Sequence, residues 1–237
     1  FFFSIEPLED KIYDAIEARE LPEERMKKRA EQTWAKLSGL GMSNEEARQV
    51  REIYRGNIFE DKTRGIVLLG DIIDSIMDGW KLVVEAGPLA KEPLMKSKFI
   101  LWDAKIHVDH MHRGPAQIYP AVRHAMFDCM KQAGAAILEP VQTQQVEAPI
   151  EFMGVVTSLI SQKRGELIEV QQNEGSVVIK AKIPVSEMIG WSNDLRSATE
   201  GRGVSSLVDQ HFQRLPRELQ ENVIKKTRQR KGLAENQ

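Results

Sequence analysis

The feature that most constrains the fold is the alternation running from about Gln142 to Phe212. Gln142–Ala148 reads as a strand, Ile150–Ser161 as a helix, and Gly165–Gln172 as a strand that turns at Asn173-Glu174-Gly175 into a further strand, Ser176–Pro184. Ser186–Ala198 then reads as a helix and Gly203–Phe212 as a closing strand. Short period-2 runs bounded by turn residues and separated by helical patterns give the order β-α-β-β-α-β. That is the split βαβ arrangement of ferredoxin-like sandwiches. A polar helix is expected after it, over about Pro216–Arg230.

The first half has a different rhythm. Phe1-Phe2-Phe3-Ser4-Ile5-Glu6 reads as a strand entered mid-protein, and an opening on three aromatics without Met suggests a piece of a longer chain. A charged helical region is expected from about Pro7 to Arg55. Its last helix starts at Ser43-Asn44-Glu45-Glu46, a capping box in which the Ser43 hydroxyl and Glu46 carboxylate satisfy free amides. A long amphipathic helix follows from about Thr63 to Ala86, with Ile66, Leu69, Ile73, Ile76, Trp80 and Val83 or Val84 on one stripe, ended by Gly87-Pro88. Lys98–His107 reads as a strand entering the loop Val108–Pro115, and a helix is expected from about Tyr119 to Ala133 with Pro120 in its first turn. Gly134 and Pro140 mark a boundary, dividing the chain into 1–138 and 139–237.

Composition limits the function classes. The 237 residues carry 33 Lys+Arg and 35 Asp+Glu, a formal charge of -2, with 41% hydrophobic and 29% charged residues. This is a globular balance, long enough for one large domain or two modest ones. No run approaches the roughly 18 apolar residues of a membrane helix, since Gly65–Val84 is broken by Asp71, Asp74, Asp78 and Lys81. The start lacks a basic leader and cleavage site, and the single Cys129 excludes an internal disulfide and fits a reducing cytoplasm. The near-neutral sum does not exclude RNA. Residues 1–95 hold 14 basic and 19 acidic residues, whereas residues 96–131 hold 6 and 3, so a basic segment sits inside an acidic one.

The densest chemical constellation lies in that basic segment: His107-Val108-Asp109-His110-Met111-His112-Arg113-Gly114-Pro115. Imidazole and carboxylate are ligands of zinc or iron, so a metal-dependent enzyme built on His107–His112 is one reading. The spacing matches no familiar metal signature, however, and only His124 and His211 remain to complete a histidine set, so no metal site is expected. For His107 and His110 the alternatives are a packed strand-end residue and a solvated loop residue. His112-Arg113 precede Gly114-Pro115, whose tight turn would hold an exposed imidazole and guanidinium at a loop apex. Such groups offer donors for phosphate and flat faces for bases, and a plain solvated turn is the alternative.

No catalytic residue is assigned. There is no G-x-S-x-G elbow, no Walker A loop and no G-x-G-x-x-G after a strand; Glu200-Gly201-Arg202-Gly203 reads as a helix-to-strand turn. Cys129 lies among Met126, Phe127 and Met130 as a packed helix residue. Lys163-Arg164-Gly165 reads as a helix end, with cations suiting the dipole and glycine capping it. Lys225–Lys231 holds five cations without an acid, either a solvated helix face or a phosphate contact.

The strings Leu101-Trp102-Asp103-Ala104-Lys105-Ile106-His107 and His112-Arg113-Gly114-Pro115-Ala116-Gln117-Ile118-Tyr119-Pro120 closely resemble the elongation factor 2 and elongation factor G family of ribosomal translocases. Phe3–Leu8, Asp61–Ile66, Met153–Thr157, Ile183–Met188, Leu195–Arg202 and Arg230–Leu233 extend the resemblance over nearly the whole sequence. It implies domains IV and V of a five-domain GTPase. Domain IV would be a ribosomal protein S5 domain 2-like α/β fold with a helical insertion, and domain V ferredoxin-like. The resemblance places diphthamide on His112, and implies ribosome contact by His112, Arg113, Gly114, Pro115, Asp109 and His110. The implied partners are rRNA and tRNA-mRNA in the decoding region and the enzymes of diphthamide synthesis; a monomer and a cytoplasmic setting are expected. GTP and Mg would belong to a GTPase domain outside this sequence, leaving these residues without cofactor or hydrolysis. A non-translational interaction module on the same fold is the remaining alternative.

Overall fold

The computed structural model of the protein describes residues 1–26 and 30–234. It has mixed α+β architecture with two four-stranded sheets, in two compact units: Phe1–Ala135 with Val223–Gln237, and Ala136–Asn222. The units thus divide at 135/136, with the last residues grouping with the first unit, where the sequence reading divided at 138/139 and assigned the last helix to the second part.

The first unit runs β1 (Phe2–Pro7), α1 (Asp10–Glu17), α2 (Glu31–Gly39), α3 (Asn44–Gln49), β2 (Val50–Tyr54), β3 (Asn57–Asp61), α4 (Leu69–Glu85), β4 (Ser97–Asp103) and α5 (Pro115–Gln132). The sheet order is β1-β4-β3-β2, with β3 and β4 parallel and the other pairs antiparallel. Helix α4 is the crossover that a parallel pair requires. Alternation along β3 separates two cores: Phe59 packs with Phe99, Leu101, Trp80 and the buried stripes of α4 and α5, while its neighbour Ile58 packs with Ile53, Val50, Leu37 and Ile12 of the helical region. Gly79 on α4 faces α5, where a Cβ would stand in ordinary van der Waals contact with Val122 at 3.4 Å.

Several expectations need correction. Residues 50–55, read as the end of the helical region, and residues 56–61, given no element, form the β2–β3 hairpin. Arg55 (φ 48°) and Gly56 (φ 67°) both occupy the left-handed region, the signature of a two-residue hairpin turn. The capping box at Ser43 is present, with Glu46 N donating to Ser43 Oγ at 3.2 Å and Ser43 N to Glu46 Oε2 at 3.2 Å, but it starts a helix of only six residues. Helix α4 begins at Leu69 rather than Thr63, because Asp61 Oδ1 accepts from Thr63 N and Oγ1 and holds that segment in a loop. Strand β4 stops at Asp103 rather than His107. Helix α5 starts four residues before Tyr119, which puts Pro120 in its second turn on an exposed face, where water can serve the carbonyl it leaves unpaired. Residues 27–29 of the charged helical region lie outside the described residues.

Glu60, fully buried on β3, has two carboxylate oxygens without a hydrogen bond among the described residues, although Lys62 Nζ stands at 3.4 Å. Burial pushes its carboxyl above the ordinary range, with Lys98 and Lys62 pulling the other way. Lys98 itself pairs most closely with Glu6, at 3.0 Å, so its pull on Glu60 offsets the burial only in part. A raised folded-state pKa means that the native state holds the proton more tightly. The stability Glu60 contributes is therefore complete below its unfolded value and is lost as pH rises through the folded value. Glu60→Gln is expected to gain stability relative to the parent on going from pH 5 to pH 8, because the amide has no proton to lose. Urea unfolding at the two pH values measures this, and a pH-independent difference would refute it.

The second unit runs β5 (Leu138–Pro149), α6 (Met153–Gln162), β6 (Glu166–Asn173), β7 (Ser176–Pro184), α7 (Trp191–Ala198) and β8 (Val204–Arg214). The β-α-β-β-α-β order is as read, and the antiparallel sheet is ordered β6-β7-β5-β8. Val177, Ile179, Ala181 and Ile183 alternate onto one face and pack against Val156 and Ile160 of α6 and Trp191 and Leu195 of α7. The predicted helices are each divided. A 3-10 turn over Ile150–Phe152 precedes α6, and another over Val185–Glu187 is separated from α7 by Gly190 (φ 80°). The chain closes with α8 (Arg217–Arg230). Among the described residues no helix is long and apolar enough to cross a membrane.

Candidate nucleic-acid interface

The loop between β4 and α5 carries the constellation singled out in the sequence. After β4 the chain passes through residues 104–109 into a 3-10 turn, His110–His112, and then into α5. Asp109 caps the turn, with its Oδ1 accepting from Met111 N at 3.0 Å, and the Asp109 amide donates to His107 Nδ1 at 3.1 Å. Gly114 and Pro115 do not form a separate turn: Gly114 is the N-cap of α5 and Pro115 its first helical residue, where a missing N–H costs nothing. The apex is therefore fixed by a helix start on one side and an aspartate-capped turn on the other.

His112 is 59% exposed in its side chain, its ring edge-on to His107 at 4.7 Å between centroids. Asp109, His110 and His107 are exposed as well, and Val108 and Met111 present apolar side chains to solvent, 83% and 78% exposed. Arg113 behaves differently. Its side chain is only 12% exposed and turns inward: one guanidinium nitrogen donates to Asp71 Oδ2 at 2.9 Å, another to the Val108 carbonyl at 3.2 Å, and Nε is buried without a partner among the described residues. Arg113 thus ties the apex to the first turn of α4. Asp71 went unnoticed in the sequence, where it was only a break in an apolar run.

The other candidates lie elsewhere. His124 is exposed on α5, and His211 sits on β8 with Asp209 Oδ2 at 3.6 Å. Cys129 is half-buried, donates to the Phe3 carbonyl at 3.1 Å, and has its thiol pushed up by burial and Asp128, against a nucleophilic role. Lys163 and Arg164 are engaged by carboxylates, Lys163 with Asp194 at 2.8 Å and Arg164 with Glu139 at 2.6 Å. The left-handed residue ending α6 is Arg164 (φ 54°). Gly165 is needed instead for close approach, since its Cβ would meet the Ile160 carbonyl at 2.7 Å. In the basic run, Arg228 donates to the Leu89 carbonyl at 2.8 Å. Lys231 donates to the carbonyls of Ala90 and Lys91 at 3.1 and 2.8 Å and pairs with Glu92 at 2.8 Å. Those two cations hold a loop of the first unit, so the run is neither wholly solvated nor wholly available to phosphate.

Residues 21–134 match the family described as elongation factor G, domain IV, and residues 136–236 the one described as elongation factor G C-terminus. Elongation factor 2 of Nanoarchaeum equitans is 44% identical over 237 residues, covering 98% of this chain and 32% of that protein. Elongation factor 2 of Thermococcus onnurineus and that of Pyrococcus furiosus are each 44% identical over 236 residues, covering 100% of this chain and 32% of theirs. The chain spans about a third of the length of the curated relatives it matches.

Proposed function

The chain belongs to the elongation factor G family, of which it carries domain IV and the C-terminal domain, and from that premise we propose that it is the ribosome-facing part of a GTP-dependent translocation factor. The observation that carries this reading is the fixed, solvent-exposed apex with His112 at its centre. The first unit is read as an S5 domain 2-like fold with a helical insertion, supported by its mixed four-stranded sheet. The second is read as ferredoxin-like, supported by its element order and the sheet order β6-β7-β5-β8.

In this reading the apex enters the decoding region of the small subunit and helps move tRNA and mRNA. His112 is the residue converted to diphthamide, and enzymes of that pathway are its second set of partners. The modification extends the imidazole with a quaternary amine, and a cation on a fixed loop reaches RNA that the bare ring cannot. Val108, His110 and Met111 surround it as contact groups, while Arg113 holds the apex in place. GTP hydrolysis, with its GTP and Mg, belongs to residues outside this sequence; the protein acts in the cytoplasm as a monomer.

Mass analysis of the His112 peptide from the native source is expected to show the added mass of diphthamide, and an unmodified peptide would reject that assignment. In competition with a full-length factor for ribosomes, His112→Ala is expected to weaken the chain by about tenfold, the value of one charge-assisted contact. Unchanged competition would remove His112 from the interface.

A further inference from the structure

A second surface of the first unit lies where β1 meets the end of β4. The pairing is irregular between Phe2 and Phe3: Phe3 faces Leu101 and Phe2 faces Asp103, so Trp102 is the extra residue of a β-bulge, a device that re-aims side chains. Phe1 and Phe3 pack into the core with α4 and α5, whereas Phe2 and Trp102 stay in solvent, each 50% exposed. The indole is pinned in place. Trp102 Nε1 donates to Ser4 Oγ at 2.7 Å, so its one polar group is satisfied and what remains for a partner is the ring. Each of the two rings carries a cation: Lys62 Nζ lies 5.3 Å from the Trp102 centroid and Lys105 Nζ 5.8 Å from that of Phe2. Lys62 is engaged by Glu60 and Glu46 at 3.4 and 3.7 Å, but Lys105 is exposed and has no carboxylate at ion-pair distance among the described residues.

We propose that Phe2 and Trp102 form a stacking platform for the unpaired bases of single-stranded RNA, with Lys105 taking a backbone phosphate. An exposed ring whose polar atom is already bonded offers a flat face without hydrogen-bond readout, which suits any base and no particular sequence. The unneutralised ammonium beside the rings selects a strand with phosphates over an apolar protein segment, which would bury that charge unpaired. A duplex does not fit, because its bases already stack on one another. The opposing charge is Asp103, the other residue of the bulge, exposed and with Oδ1 accepting from Ala104 N at 2.8 Å. In the sequence Phe1-Phe2-Phe3 is a single apolar run; strand alternation divides it, and only the bulge brings Trp102 opposite Phe2. The platform requires a single strand but no particular step of translation, so it stands independently of the translocation reading.

The test uses the full chain and a short oligouridine. Trp102 is the exposed tryptophan, since Trp80 and Trp191 are buried and Trp34 is half-buried, so base stacking is expected to quench the intrinsic fluorescence saturably. Trp102→Leu should abolish the quenching. Anisotropy of a labelled strand should show binding about tenfold weaker in both Trp102→Leu and Phe2→Ala. Trp102→Phe, which keeps a stacking face, should retain most of the affinity, and Lys105→Ala should lower the salt dependence by about one ion. His124→Ala should change nothing, and duplex RNA should not quench. Binding that survives both Trp102→Leu and Phe2→Ala, or equal quenching by a duplex, would overturn the platform. A loss that follows His112→Ala instead would move the strand to the apex and overturn it as well. So would self-association that disappears in Trp102→Leu, which would make this surface an interface between copies.

Discussion

Replacing Trp80 by alanine is expected to lower the unfolding free energy of the first unit by about 3–5 kcal/mol, enough to consume a large part of the margin of an ordinary domain. Trp80 is fully buried at the centre of the core under α4, with its ring 5.5 Å from Phe59, 6.1 Å from Phe99 and 6.3 Å from Tyr54. Those rings belong to β2, β3 and β4, so the cavity would open between the helix and three strands at once. Trp80→Phe should cost far less, within about 1.5 kcal/mol, for two reasons. It keeps most of the apolar contact, and it removes a buried Nε1–H that has no hydrogen-bond partner among the described residues. Urea unfolding followed by far-UV circular dichroism, with hydrogen exchange on β3 and β4 amides, measures both variants. Equal losses for phenylalanine and alanine would show that Trp80 is not the packing centre. The effect reaches the interface through α4, which carries Asp71 in its first turn and Trp80 further along the same helix.

What the sequence could reveal depended on whether the signal was local. The second unit was legible in element order because its strands alternate cleanly: Val177, Ile179, Ala181 and Ile183 face inward while their neighbours do not, and the turn at Asn173-Glu174-Gly175 separates two such runs. The β2–β3 hairpin was not, since Arg48–Arg55 is rich in residues that helices tolerate, and a capping box just upstream favoured a helix. The available signal was Arg55-Gly56-Asn57 between Val50, Ile53 and Ile58, a short turn flanked by β-branched residues. Asn57 shows why tertiary context decided: its buried amide donates to the carbonyls of Arg55 and Leu94 and its Oδ1 accepts from Ser97 N, tying the hairpin to the start of β4. At the apex, sequence singled out nine residues, 107–115, but not how they pair with one another and with the rest of the fold. His107 and Asp109 meet His112 only through the 3-10 turn, and Arg113 meets Asp71 across 42 positions of sequence.

That last pairing leads to a functional expectation for Arg113→Ala. The substitution removes the 2.9 Å ion pair with Asp71, which holds the apex against α4, and the bond to the Val108 carbonyl, which holds the loop upon itself. Asp71 is well exposed, so the loss of global stability should stay near 1 kcal/mol. The loss of ribosome competition should be at least as large as for His112→Ala, about tenfold or more, because every contact group of the apex loses its fixed position at once. Asp71→Ala separates this from a direct phosphate contact. If Arg113 acts by holding the loop, Asp71→Ala reproduces most of the loss, and the double variant is little worse than either single one, the non-additivity expected of two residues that work through one bond. If Arg113 instead binds RNA phosphate, Asp71→Ala frees its charge and strengthens binding, and Arg113→Ala lowers the salt dependence of binding by about one ion. The buried guanidinium and its two short contacts predict the first pattern.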